Sequence, residues 1–128
     1  MKGIFVNNED GIVRYADAIV EGFKTVETRN RNMLSACVGE RVCIIATRRG
    51  KKPVVIGSVL ITCAYKMCGG WMNEHRNLTL IPKYSKYDNN GEDKWCYFLA
   101  DSVSFGTHSY PLPQNAVRHG RSWCEWEA

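Results

Sequence analysis

The sequence predicts a small α+β, mainly β domain, a barrel with one or two flanking helices. Three observations carry that expectation. A single helical pattern lies near the start, about five or six strand-like runs follow it, and one of the two long runs is broken midway by glycine. Glycine inside a strand marks a bulge or a tight barrel bend. Closing the sheet on itself would remove the edges that a small flat sheet must otherwise protect. A length of 128 residues suits one domain, and no repeat or linker divides it, so residues 1–128 are read as one unit.

The elements follow in order. Residues 2–6 form a short apolar run ending in the loop signal Asn7-Asn8-Glu9-Asp10-Gly11. From Val13 to Glu21 the spacing predicts a helix, with Tyr15, Ala16, Ile19, Val20 and Phe23 on its apolar face. Gly22 closes it as a left-handed cap. Lys24-Thr25-Val26-Glu27-Thr28-Arg29 comes next, and its β-branched residues favour a strand. After a stop at Met33-Leu34 and a turn at Gly39, Arg41–Thr47 is apolar throughout, as expected of a strand covered on both faces. Arg48-Arg49-Gly50-Lys51-Lys52-Pro53 reads as a basic hairpin loop, and Val54–Tyr65 as the return strand with Gly57 inside it. Residues 66–93 hold a glycine pair, a short helix around Trp71–Asn77 and a Tyr/Lys-rich loop. Trp95–Phe105 is a further strand, and Val117–Trp126 adds a last one.

Composition bounds the partners. Hydrophobic residues at 45% and charged residues at 23% fit a folded globular chain rather than a disordered one. No apolar run approaches the ~20 residues of a membrane span, and the N-terminus turns polar at Asn7, too soon for a signal peptide. The expectation is a cytoplasmic protein with no membrane association. Cys43, Cys63 and Cys96 sit in apolar strand runs, where a thiol acts as a small hydrophobe. No Cys-x-x-Cys pair, glycine-rich phosphate loop or cofactor fingerprint occurs, so neither metal nor cofactor is expected. The three histidines lie too far apart in sequence to suggest a hydrolase triad. A net charge of +4 is compatible with a polyanionic partner without demanding one.

The run Ile19-x-x-Gly22-x-Lys24-Thr25-Val26-Glu27-Thr28-Arg29, in its helix–glycine–strand setting, resembles the signature of the ASCH family within the PUA-like group. The apolar strand, basic hairpin and glycine-kinked strand after it agree with that family's layout. The resemblance spans residues 13–65 well and 94–126 loosely; 66–93 match nothing. It implies a PUA-like β-barrel with a cleft between the first helix and the barrel mouth. It also implies a domain that binds RNA or a nucleotide-like ligand, or alternatively a small amidohydrolase acting on N4-acylated cytidine nucleosides.

Side-chain alternation puts Thr25, Glu27 and Arg29 on one strand face, while the long stem of Lys24 can reach round the helix end. Read as a binding site, Lys24 and Arg29 meet a phosphate or carbonyl oxygen, Thr25 lies beside them, and Glu27 accepts from a base amine. Read structurally, Glu27 and Arg29 form an ion pair that orders the cleft entrance. Catalysis would fall to Lys24 and Glu27. It requires a lysine with a lowered pKa, whereas a nearby carboxylate raises it. The hydrolase-like relatives are also expected to carry a hydroxyl where Glu27 stands and a later acid, for which Glu74, Glu92 and Asp93 are the candidates. The hairpin cations, Arg48 first, are either a solvated turn or a phosphate grip. Arg118, Arg121 and Trp123 interleave charge with an aromatic ring, a mixture that stacks bases and holds phosphate; Trp123 equally suits the core. A protein partner is a further reading, through the aromatic segment 66–97.

Overall fold

The computed structural model describes residues 1–11 and 13–127. Its elements are β1 (Lys2–Asn7), α1 (Tyr15–Val20), β2 (Val26–Arg29), β3 (Arg41–Thr47), β4 (Val54–Met67), α2 (Gly69–Glu74), α3 (Arg76–Thr79), β5 (Lys94–Ser104), β6 (Tyr110–Pro111), β7 (Val117–His119) and β8 (Trp123–Glu125). The strands form one mixed sheet in the order β2-β5-β4-β3-β1-β8-β7, and β6 adds to one end of β4. The fold is α+β and mainly β, as the sequence predicts. Among the described residues no helix is long and apolar enough to cross a membrane.

The central strand explains the layering. On β3, Val42, Ile44 and Ala46 join the main core with α1, while Cys43 and Ile45 turn to a second cluster with Phe5, Val55, Cys124 and Trp126. Both faces are covered, which is why the run carries no polar alternation. Helix α1 lies across β3 and β4, and Gly57 sets how closely. A Cβ there would strike the Val103 carbonyl and come within 2.5 Å of Val20 Cγ1. The β3–β4 register slips between Ile44 and Ile45, opposite this glycine, so the expected bulge is present.

The helix–glycine–strand joint also forms as expected. Gly22 has φ +84°, its N–H donates to the Ile19 carbonyl, and the Phe23 N–H reaches back to Ala18 at 2.9 Å. These two bonds make a Schellman cap. Phe23 departs from the expectation: it is 68% exposed, because the left-handed residue swings the chain off the helix before Phe23 can join its apolar face.

Closure is the second correction, since the sheet is open. Strand β1 is flanked by β3 on one edge and β8 on the other, so the C-terminal hairpin occupies the edge on which β2 would have zipped shut. Among the described residues the four-residue β2 is left paired to β5 alone. Segment 66–93 supplies two short helices instead of one, followed by a loop; Met72 of α2 is buried with Val26 and Cys96.

Candidate ligand-binding cleft

Where β2 fails to close on β1, side chains span the gap. Arg29 Nη2 donates to the Phe5 carbonyl at 2.7 Å and to Glu27 Oε2 at 2.9 Å. On the other side of Glu27, Lys24 Nζ lies 3.6 Å from Oε1 and donates to the Thr79 carbonyl at the end of α3 at 2.5 Å. One chain of polar groups thus runs from α3 through β2 to β1. Lys24 is 1% exposed and Glu27 8%. Lys24 precedes β2 and leaves the helix cap with its N–H bonded to Ala18, so strand alternation does not govern it. Its stem reaches the same hollow as Glu27 and Arg29.

The hollow is a cleft of about 420 Å³, within the size range of small-molecule sites. Lys24, Glu27, Arg29 and Arg121 line it, with Thr28 beside them. Tyr15 and Tyr87 meet edge-to-face at 5.7 Å and supply aromatic surface. Lys94 lines it too and donates to Asn30 Oδ1 at 2.6 Å. Sequence reasoning missed Tyr87, Ile81 and Lys94. They arrive from distant segments, and only the alternation of Tyr and Lys in 83–87 hinted at a role.

Other predicted residues lie elsewhere. Thr25 acts through its backbone, donating to Leu78 and accepting from Leu99. Arg48 is held by Asp10 at 2.7 Å. Arg118 sits over the Phe5 ring at 4.5 Å. Trp123 packs against the main core and stacks on His119. Glu74, Glu92 and Asp93 are exposed and outside the cleft lining.

The electrostatics answer the conflict posed by the sequence. Burial pushes the Lys24 pKa below the ordinary lysine value, and the Glu27 carboxylate only partly restores it. For Glu27 itself, burial alone would raise the pKa, but Arg29 and then Lys24 outweigh that and hold it low. At neutral pH the site therefore presents a firm carboxylate between a fixed guanidinium and a lysine that releases its proton more readily than usual. That set can bind an anion, hydrogen-bond a polar edge or relay a proton.

An open, mainly β sheet wrapped on one helix, with a charged cleft at its unclosed seam, defines the class of domain. Solved structures of the same class carry a name. The chain is similar to a serine-to-alanine variant of an ASCH protein from Zymomonas mobilis, at 26% identity and TM-score 0.61 over 80% of this chain and 70% of that one. A tyrosine-to-phenylalanine variant of it aligns at 24% identity and TM-score 0.60, over 81% and 73%. A third structure of ASCH from that organism aligns at 23% and 0.61, over 80% and 69%. No family model and no curated protein matches the sequence. This structural likeness supports an ASCH domain.

Proposed function

We propose that this domain binds a nucleotide-like ligand, free or as an unpaired nucleotide of RNA, in the cleft beside Lys24, Glu27 and Arg29. One observation carries the reading: cationic Lys24, Arg29, Lys94 and Arg121 share a cleft with one carboxylate and with the rings of Tyr15 and Tyr87. The charge balance favours an anionic occupant, and the rings offer a face to a base. Glu27 spends its oxygens on Arg29 and the Thr28 N–H, but a carboxylate has about four lone-pair sites, so it retains capacity for an exocyclic amine.

Titration with cytidine nucleotides and short single-stranded RNA, followed by tryptophan fluorescence and amide spectra, tests this. Binding is expected to weaken as salt rises, and Arg121→Ala to weaken it further and flatten the salt slope by about one. Arg121 is exposed, so that variant leaves the fold alone. Unchanged spectra across the panel at low salt sink the proposal.

A second reading, hydrolysis of N4-acylated cytidine, is favoured by the lowered pKa of Lys24 beside Glu27. Water would attack the acyl carbon, give its proton to the neutral Lys24 amine, and the same proton would pass to the departing N4. Cytidine and a carboxylic acid result. Position 27 bears a carboxylate instead of the hydroxyl expected of hydrolase-like relatives, which keeps this reading second. Release of acetate from N4-acetylcytidine, abolished by Lys24→Ala or Glu27→Gln, supports it; no turnover at high enzyme concentration removes it.

A further inference from the structure

We propose that residues 83–87 form a second subsite, so that the domain's ligand is a single-stranded oligonucleotide extending out of the cleft rather than a mononucleotide held within it. This rests on the nucleotide-binding reading of the cleft. Its own support is the surface of Lys83-Tyr84-Ser85-Lys86-Tyr87. Tyr84 is 82% exposed, with Lys83 Nζ 5.1 Å from its ring centre, and Lys86 repeats the arrangement over Tyr87 at 5.4 Å. Two aromatic faces, each with an ammonium beside it, form the alternation that stacks successive bases and meets the intervening phosphate.

Continuity with the cleft is direct. Tyr87 lines the main cleft and also a neighbouring cavity of about 230 Å³ that Ser85 and Lys86 help to wall. Tyr84 lines neither, yet three residues span at most about 11 Å, and turns closed by Ser85 N–H to Pro82 and Asp88 N–H to Ser85 shorten that reach. Glu9 and Asp10 are the acids facing the strip across the smaller cavity. Asp10 is matched by Arg48 at 2.7 Å, whereas Glu9 accepts the Arg49 backbone N–H and keeps its charge, so of the two acids Asp10 alone is neutralised by a cation.

The strip is also held in place. Tyr84 adopts φ +65°, an unfavourable conformation for a bulky residue. Its N–H is pinned at 2.7 Å by Asp88 Oδ2, and the buried Asp88 is clamped by Arg76 at 3.1 Å. A protein-docking patch would be expected to have an apolar centre with charge kept to its rim. Here lysine alternates with tyrosine throughout, which favours a polyanion.

The experiment compares binding of cytidine monophosphate with that of cytidine di- and trinucleotides, in the wild type and in Tyr84→Gly and Tyr84→Phe. Glycine suits a positive φ, so Tyr84→Gly removes the ring without endangering the loop. In the wild type the first added nucleotide is expected to tighten binding about tenfold, equivalent to about 1.4 kcal/mol. Tyr84→Gly should abolish the increment for the first added nucleotide, Tyr84→Phe should keep it, and monophosphate binding should change in neither. Equal affinity for one and several nucleotides overturns the second subsite while leaving the cleft reading intact, and directs the strip to a protein partner. An increment that survives Tyr84→Gly overturns it too. Binding of no nucleotide of any length refutes both.

Discussion

Replacing Glu27 by Gln keeps the shape of the cleft and removes the negative charge from between two cations. Glu27 lies 2.9 Å from Arg29 and 3.6 Å from Lys24. At an effective dielectric of ~20, each of those attractions is gross about 5 kcal/mol, against which desolvation of the ions must be set. Breaking a buried pair by deleting one partner costs about 3–5 kcal/mol net, a large share of the ~5–15 kcal/mol that holds a domain together. The cost should depend on pH with a definite sign. Lys24 has a folded pKa below its unfolded value of 10.5, so the unfolded chain binds more protons between those values and stability rises with pH there. Glu27→Gln removes the charge that props up the ammonium, and the pKa of Lys24 falls further. The variant therefore gains more on going alkaline than the wild type does. Urea unfolding of both proteins at intervals from about pH 6 to about pH 10 should give a deficit of ~3–5 kcal/mol that narrows as Lys24 discharges. A deficit that is constant across the range would refute the coupling of Lys24 to Glu27. A deficit under ~0.5 kcal/mol would show that Glu27 neutralises nothing of consequence.

Three more outcomes follow from the same structure. Gly57→Ala should cost ~1–3 kcal/mol in urea unfolding, towards the upper end, because the new methyl meets a backbone carbonyl that cannot swing aside; Gly70→Ala, whose nearest neighbour would be Cys68 Sγ at 4.0 Å, should be neutral or stabilising by up to ~1 kcal/mol. For Asp88, burial pushes the pKa up, but hydrogen bonds from the Tyr84 N–H and Arg76 win and hold it below 3.8, so it stabilises above that value and the contribution disappears as pH falls through the folded pKa; an acid titration of stability should show a shallower limb in Asp88→Asn than in the wild type. Lys24→Met should leave urea stability within ~1 kcal/mol of wild type, since Glu27 keeps Arg29 as its partner and a buried ammonium is exchanged for a thioether, while nucleotide binding falls at least ~10-fold; a stable variant with unchanged affinity would deny Lys24 any part in the site.

What could be read from the sequence was local. Gly22 after an apolar helical stripe can form only a cap, and a β-branched run after it can only extend, so the joint that delivers Lys24, Glu27 and Arg29 was visible in eleven residues, 19–29. Gly57 was equally legible, because glycine in an apolar strand implies something pressing on it, here Val20 and Val103. Closure was not legible. It depended on whether the last hairpin or β2 took the free edge of β1, a competition between segments about a hundred residues apart. The cleft walls failed for the same reason: nothing near Tyr87 in sequence announces that its ring will meet Tyr15. The pairing of Arg48 was not legible either, because a cationic turn looks free until Asp10 is found facing it.

The misjudged closure and the candidate site have one cause. A β2 zipped onto β1 would satisfy the Phe5 carbonyl with a backbone N–H and leave no hollow at the seam. Because β8 occupies that edge, the Phe5 carbonyl is reached by a guanidinium instead, and the guanidinium must itself be balanced by a carboxylate in a poorly hydrated place. Lys24 is not needed for that balance, since Arg29 and Glu27 already neutralise each other. Burying an unrequired ammonium costs stability, and an apolar side chain of similar length would fill the same volume without that cost. The Thr79 carbonyl takes one of its three donors, and Glu27 at 3.6 Å is beyond a hydrogen bond. A charge that the fold does not require, with hydrogen-bonding capacity unspent and facing a lined hollow, is what the proposed ligand would need to meet there.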